Sequence, residues 1–183
     1  MAGGGWLLGQ GAAGEQGDRG EAQATGANPT DRGKGGVKRH LLTDGQGVPL
    51  AVVLSGANRT EMKKLGDLLD ALVYEAAPVE VPQHLCLDRG YDYAACRETA
   101  TAHGYIPHIP PQASAASPLP PPGHPDRHPP RRWVVEVAHS WCTRFRRLLI
   151  RWEKHADLYL GFIQLAACLI VYRKLRQARS LSG

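Results

Sequence analysis

Glycine and proline are segregated in this chain, and that limits how much of its 183 residues can pack. Twelve of the 21 glycines lie in residues 1–36, and ten of the 14 prolines lie in residues 107–130. A Gly-rich stretch without apolar periodicity pays a large ordering entropy for little burial. A Pro-rich stretch lacks backbone donors and favours extended polyproline geometry. The reading is therefore a Gly-rich, disordered segment over 1–27, a packed unit over 28–109, a Pro-rich loop over 110–130 and C-terminal helices over 131–183.

Within the packed unit the hydrophobic period changes repeatedly. Val37–Thr43 and Val48–Leu54 are strand-like runs, and Asp44-Gly45-Gln46-Gly47 between them makes a hairpin turn. Thr60 is a candidate N-cap for an amphipathic helix reaching about Ala76, with Met62, Leu65, Leu68, Leu69 and Leu72 at helical spacing. Pro78 and Pro82 close that helix before a short strand, His84–Leu87. A helix from Tyr93 to His103, capped by Gly104, precedes a last strand, Tyr105–Ile109. Arg131–Trp152 reads as one helix with an apolar stripe of Val134, Val137, Trp141, Phe145, Leu148 and Trp152. Its other side carries Arg132, Glu136, His139, Ser140, Thr143 and Arg147. The final helix, about Ala156–Arg176, holds the run LYLGFIQLAACLIVY; at 15 residues it falls short of the ~20 that span a bilayer and reads as buried, with no membrane role. Strands separated by helices make an α/β arrangement, in which no convincing strand precedes residue 36.

Charge is uneven. From Arg131 onward there are 11 Lys/Arg against 3 Asp/Glu, a net of +8, whereas residues 1–130 carry 11 against 14, a net of −3. Such a basic segment suits a polyanion, though a solvated helix face would look the same. Cys86, Cys96, Cys142 and Cys168 have no CxxC spacing, which points to free thiols in a reducing cytoplasm. His124 and His128 lie in the Pro-rich loop, a poor preorganised metal site.

The stretch HLCLDRGYD (84–92) drives an apolar run into Asp88 and turns at once on Gly90. Asp88 can cap the turn that follows. Alternatively it is a carboxylate at a strand end that, with Glu136, offers hard oxygen ligands to a divalent ion.

Three collinear blocks, residues 28–65, 83–98 and 131–154, resemble bacterial insertion-sequence transposases of the DDE class. The resemblance implies an α/β, ribonuclease-H-like mixed sheet with flanking helices. It also implies transposition by metal-assisted attack of water, then of a 3′-hydroxyl, on DNA phosphodiesters. It maps the second and third acids onto Asp88 and Glu136, with Mg²⁺ or Mn²⁺ as cofactor. Arg132, four residues before Glu136, matches a family arginine, and Lys38, Arg39, Arg144, Arg146, Arg147 and Arg151 are candidate DNA contacts. The expected partners are the element's terminal repeats, target DNA and further copies in a homo-oligomer, in the nucleoid of a bacterial cytoplasm. One departure is central: no strand-borne Asp precedes NPTDRGK, and Glu15, Asp18 and Glu21 do not end apolar strands. The implied protein is thus a truncated or frame-shifted copy lacking the first strand and first Asp. A non-catalytic DNA-binding remnant is the alternative.

Overall fold

The structure, a computed structural model, describes residues 5–15, 24–28, 32, 34–72, 81–111 and 132–180. The expected loop over 110–130, with His124 and His128, lies largely or wholly outside them, as do Asp18, Glu21 and Asp31.

Six strands form one mixed sheet: β1 (Gly5–Glu15), β2 (Gly26–Ala27), β3 (Gly35–Thr43), β4 (Pro49–Gly56), β5 (Gln83–Leu87) and β6 (Tyr105–His108). β3 pairs antiparallel with β1 on one side and with β4 and the short β2 on the other. β1 then pairs parallel with β5, and β5 with β6. Helices α1 (Leu65–Asp70) and α2 (Ala94–Ala102) cover one face; α3 (Arg132–Thr143), α4 (Arg146–Leu149) and α5 (Ala156–Ser180) cover the other.

The alternation of β3 builds both cores. Leu42 joins Leu65, Leu68, Leu85, Leu87, Tyr91 and Tyr105 on the α1 and α2 side. Val37 and Leu41 join Val134, Val135, Ala138, Cys142, Tyr159 and Ile163 on the other. The β3–β4 hairpin forms where expected because its turn chemistry is local. The Asp44 carboxylate accepts the N–H groups of Gln46 and Val48, each at 2.8 Å. Gly47 takes φ +82° with the Val134 carbonyl oxygen 3.2 Å from where a Cβ would stand, so only glycine fits comfortably.

Four expectations need correction. The first strand is present: β1 lies between β3 and β5, and β2 follows it, although residues 1–27 read as disorder. Glycine and alanine weaken a strand taken alone, but here partners on both sides supply the ladder. The helix after Thr60 starts as a 3-10 turn, Glu61–Lys64, and continues as α1 only to Asp70, with Gly66 inside it. The single helix expected over Arg131–Trp152 breaks after Thr143, because Phe145 adopts extended φ −81°, ψ 107°. Its buried stripe is Val134, Val135, Ala138 and Cys142, while Trp152 is 69% exposed; the small Ala138 and Cys142 let the helix approach the sheet closely. Finally, α5 is not simply buried. It runs 25 residues, long and apolar enough by length and composition to cross a bilayer, yet Tyr159, Ile163, Ala166 and Ile170 pack on the rest of the fold.

His40, fully buried on β3, shows what two-sided burial costs a polar side chain. The Ser55 hydroxyl donates to the Gly56 carbonyl (3.3 Å), so His40 Nε2–H donates to Ser55 Oγ at 2.8 Å. Nδ1 is then the bare nitrogen, buried without a hydrogen-bond partner. Protonating it would bury an unpaired charge; burial first, then the Lys38 and Lys64 charges, lower the imidazole from 6.5 to about 4. The unfolded chain therefore binds a proton that the folded chain does not between these two values. Stability should fall by on the order of 2–3 kcal/mol as pH drops from 6.5 to 4. In His40→Gln, chemical denaturation across that window should show a correspondingly shallower pH dependence.

Candidate active site

β5 ends at Leu87, and Asp88 caps the 3-10 turn Arg89–Tyr91 that follows. Its carboxylate accepts the Gly90 N–H at 2.8 Å, the Asx-type geometry that short acidic side chains favour at turns.

A second carboxylate reaches the same place. A Cβ on Gly90 would stand 2.9 Å from Glu61 Oε2 and 3.0 Å from Asp88 Oδ1. Only a residue without a side chain allows both acids so close to its Cα. Glu61 also accepts an ion pair from Lys38 Nζ at 3.2 Å, and that ammonium donates to the Arg59 carbonyl at 3.4 Å. Lys38 therefore ties β3 to the turn before α1. Beneath these acids lies Tyr91, whose hydroxyl is pushed well above its ordinary pKa by burial, then by the Glu61 and Asp88 charges. Sequence reasoning did not single out Glu61. No local pattern shows that it meets Asp88 across the fold.

Glu136 belongs to a different element. It lies on the exposed side of α3, which packs on β1 and β3. Arg132 opens α3 one turn before it. Among the described residues no three His, Cys, Asp or Glu side chains converge as metal ligands.

The candidate basic contacts separate into two groups. Arg144, Arg146 and Arg147 are exposed. Arg147 also pairs with Glu153 at 2.7 Å and lies over the Phe162 ring at 5.3 Å. Arg39 and Arg151 are each only 7% exposed, which corrects the expectation that they face a polyanion. Position 39 shares the face of Val37 and Leu41, so strand alternation turns it inward, where its charge acts on Cys142 and Tyr159. Its Nε and Nη1 atoms have no hydrogen-bond partner. Arg151 donates to the Glu153 and Lys154 carbonyls at 2.8 and 3.1 Å, and burial lowers its pKa.

Two further features escaped sequence reasoning. A groove of about 560 Å³ beside β4 is lined by Ser55, Asn58, Arg59, Lys63 and Lys64, among others. On the β5–β6 edge, His84 Nδ1 and His108 Nε2 lie 2.8 Å apart, with rings stacked at 5.0 Å. These histidines come from separate strands, so only the sheet register pairs them.

Residues 10–171 match the family described as "Transposase DDE domain". The chain is 38% identical over 158 residues, 84% of this chain and 71% of the relative, to a Burkholderia cepacia protein whose name assigns it as a transposase for insertion sequence element IS402. No solved structure gives a significant match. The chain belongs to the DDE transposase family.

Proposed function

We propose that this chain is a ribonuclease-H-like insertion-sequence transposase that grips DNA but lacks the full acid set for cutting it. The fold reading is supported by the strand order β4–β3–β1–β5–β6, with three antiparallel strands followed by two parallel ones. In that arrangement chemistry gathers at the end of β5, beside β1, where Asp88 lies.

The observation that carries the functional reading is the register of β1. It pairs with β5 from Gly5↔Gln83 to Gly9↔Leu87, so position 10 is the step that falls beside Asp88. That position is Gln10, a neutral amide, and a neutral amide is a weak substitute for a carboxylate on a divalent cation. Glu15, the one acid in β1, is five residues further on, roughly 17 Å along an extended strand. It aligns with Gly36, away from Asp88.

DDE transposase domains generally use divalent metal ions. The described donors here do not fit such a centre. Asp88 commits an oxygen to Gly90, its neighbouring acid Glu61 is paired with Lys38, and the next β1 position in register with the end of β5 is a glutamine in the sequence. What the chain's own residues provide is a cationic surface. Arg144, Arg146 and Arg147 lie on the exposed side of the break between α3 and α4, with Arg173, Lys174, Arg176 and Arg179 along α5. Basic side chains of this kind contact phosphates and make affinity depend on salt.

Nicking of supercoiled plasmid with Mg²⁺ or Mn²⁺ tests the catalytic half. The chain should nick no faster than Asp88→Asn, and Gln10→Asp should raise nicking at least tenfold. Native activity that disappears in Asp88→Asn and Glu136→Gln would overturn the proposal in favour of a working nuclease. A salt titration tests the binding half. Replacing Arg144 and Arg146 by Ala should weaken duplex binding and lower the slope of log affinity against log salt by about 1–2. Arg39→Met should leave that slope unchanged and raise the denaturation midpoint, since it removes a buried, unsatisfied cation.

A further inference from the structure

The last two strands of the sheet carry a pair of donors far from the acids around Gly90. Among the described residues β6 ends the strand order, and it pairs parallel with β5. Side chains alternate along each strand. Leu85, Leu87, Tyr105 and Ile109 enter the core beside α1 and α2, so His84 and His108 fall on the opposite face. Ile106 on that face is 45% exposed, and both imidazoles are half-buried, so solvent and small solutes reach them.

The register sets His84 against Ile106 and Cys86 against His108, which makes the two histidines diagonal neighbours. Their rings stack at 5.0 Å with an inclination of 26°, and His84 Nδ1 lies 2.8 Å from His108 Nε2. As a hydrogen bond, that contact needs one imidazole to donate to the other. The same distance is close to the bite of a chelate. Metal–imidazole bonds of about 2.0–2.1 Å meeting at about 90–109° set the nitrogens about 2.9–3.4 Å apart. A few tenths of an ångström therefore separate the hydrogen-bonded pair from a pair of ligands. The shared proton moves to the other nitrogen of its own ring, so each facing nitrogen offers a lone pair and both rings stay neutral.

Donor type sets the class of ion. Imidazole suits Zn²⁺, Ni²⁺ and Cu²⁺, whereas Mg²⁺ prefers hard oxygen. The Cys86 thiol shares the face, but no third donor converges with the imidazoles among the described residues, which leaves the remaining positions to water. His84 precedes Asp88 by four residues, roughly 13 Å along a strand, so this pair is separate from the strand-end acids.

We propose that His84 and His108 form a two-imidazole site for a transition-metal dication of the Zn²⁺, Ni²⁺ and Cu²⁺ group, which clips β6 to β5. Such a bridge joins residues 24 apart in sequence and requires the sheet register, so the ion stabilises the folded chain. β6 is only four residues long, and the clip adds to a short strand at the end of the sheet.

Calorimetric titration of the untagged full chain with NiCl₂ tests this, together with thermal denaturation. One ion per chain should bind with a dissociation constant below about 100 μM. At about 1 mM NiCl₂ the melting temperature should rise by at least about 3 °C. His84→Gln and His108→Gln should each weaken binding at least tenfold and remove the rise, with unchanged circular dichroism. Zn²⁺ should compete with Ni²⁺, and about 10 mM Mg²⁺ should not. His124→Gln with His128→Gln, in the Pro-rich segment, should leave binding within twofold. No saturable binding below about 1 mM would overturn the proposal, as would binding that survives both single substitutions. Loss of binding in the His124 and His128 variant alone would move the ion to that segment and also overturn it. Should the Gln variants fail to fold, diethyl pyrocarbonate labelling of the native chain decides. Ni²⁺ should protect His84 and His108 at least fivefold, and unchanged labelling would overturn the site.

Discussion

The pairing of β3 on both edges, together with burial on both faces, is the constraint from which the rest of this fold follows. β1 lies on one edge, β2 and β4 on the other, while α1 and α2 cover one face and α3 and α5 the other. A strand enclosed in this way offers no solvated side, so every residue it carries must be apolar, hydrogen-bonded or costly. Val37, Leu41 and Leu42 meet the first condition. His40 meets the second with one nitrogen, against Ser55. Arg39 meets neither and is a standing cost within the core. Lys38 escapes by reaching Glu61 near the edge of the structure.

That last contact links the core to the strand-end acids. Lys38 holds Glu61, Glu61 and Asp88 approach the same glycine, and Asp88 caps the turn leading to the buried Tyr91. The acids around Gly90 thus act as structural groups: one is neutralised by a lysine, the other holds a backbone amide. A transposase of this family needs its acids available for metal. Here Asp88 and Glu61 each hold a structural contact as well, and the β1 position in register with the end of β5 is a glutamine in the sequence. The proposed loss of strand cutting is compatible with family membership. Gripping DNA requires only exposed cations, whereas cutting it requires carboxylates placed within a few ångströms of one another.

Local chemistry decided what could be read without tertiary structure. The β3–β4 hairpin was legible because Asp44 and Gly47 specify their turn with contacts a few residues away. The strand running into Asp88 and the helix after it were legible for the same reason. The break between α3 and α4 was not, because Arg144 and Phe145 are acceptable helix residues and only packing of Leu148 on α5 favours an interruption there. The burial of Arg39 and Arg151 was also hidden. An arginine's place depends on which face its strand or loop presents, and composition reports charge without direction.

The sequence by itself determined the family, through three blocks in order, and that resemblance, more than the immediate neighbours, is what singled out Asp88 and Glu136. It also determined that the charge of the C-terminal segment is basic and that α5 is apolar. Tertiary structure alone decided that a Gly-rich stretch becomes the central strand β1, because the ladder on both sides compensates for poor intrinsic propensity. It alone set Gly9 against Leu87 at the end of β5 and Glu61 against Gly90, since strand register and side-chain convergence are properties of residues distant in sequence. It alone divided α5 into an inner stripe that completes the core and an outer stripe that does not. An apolar residue records that it should leave water, and only the packed chain shows whether anything is there to receive it.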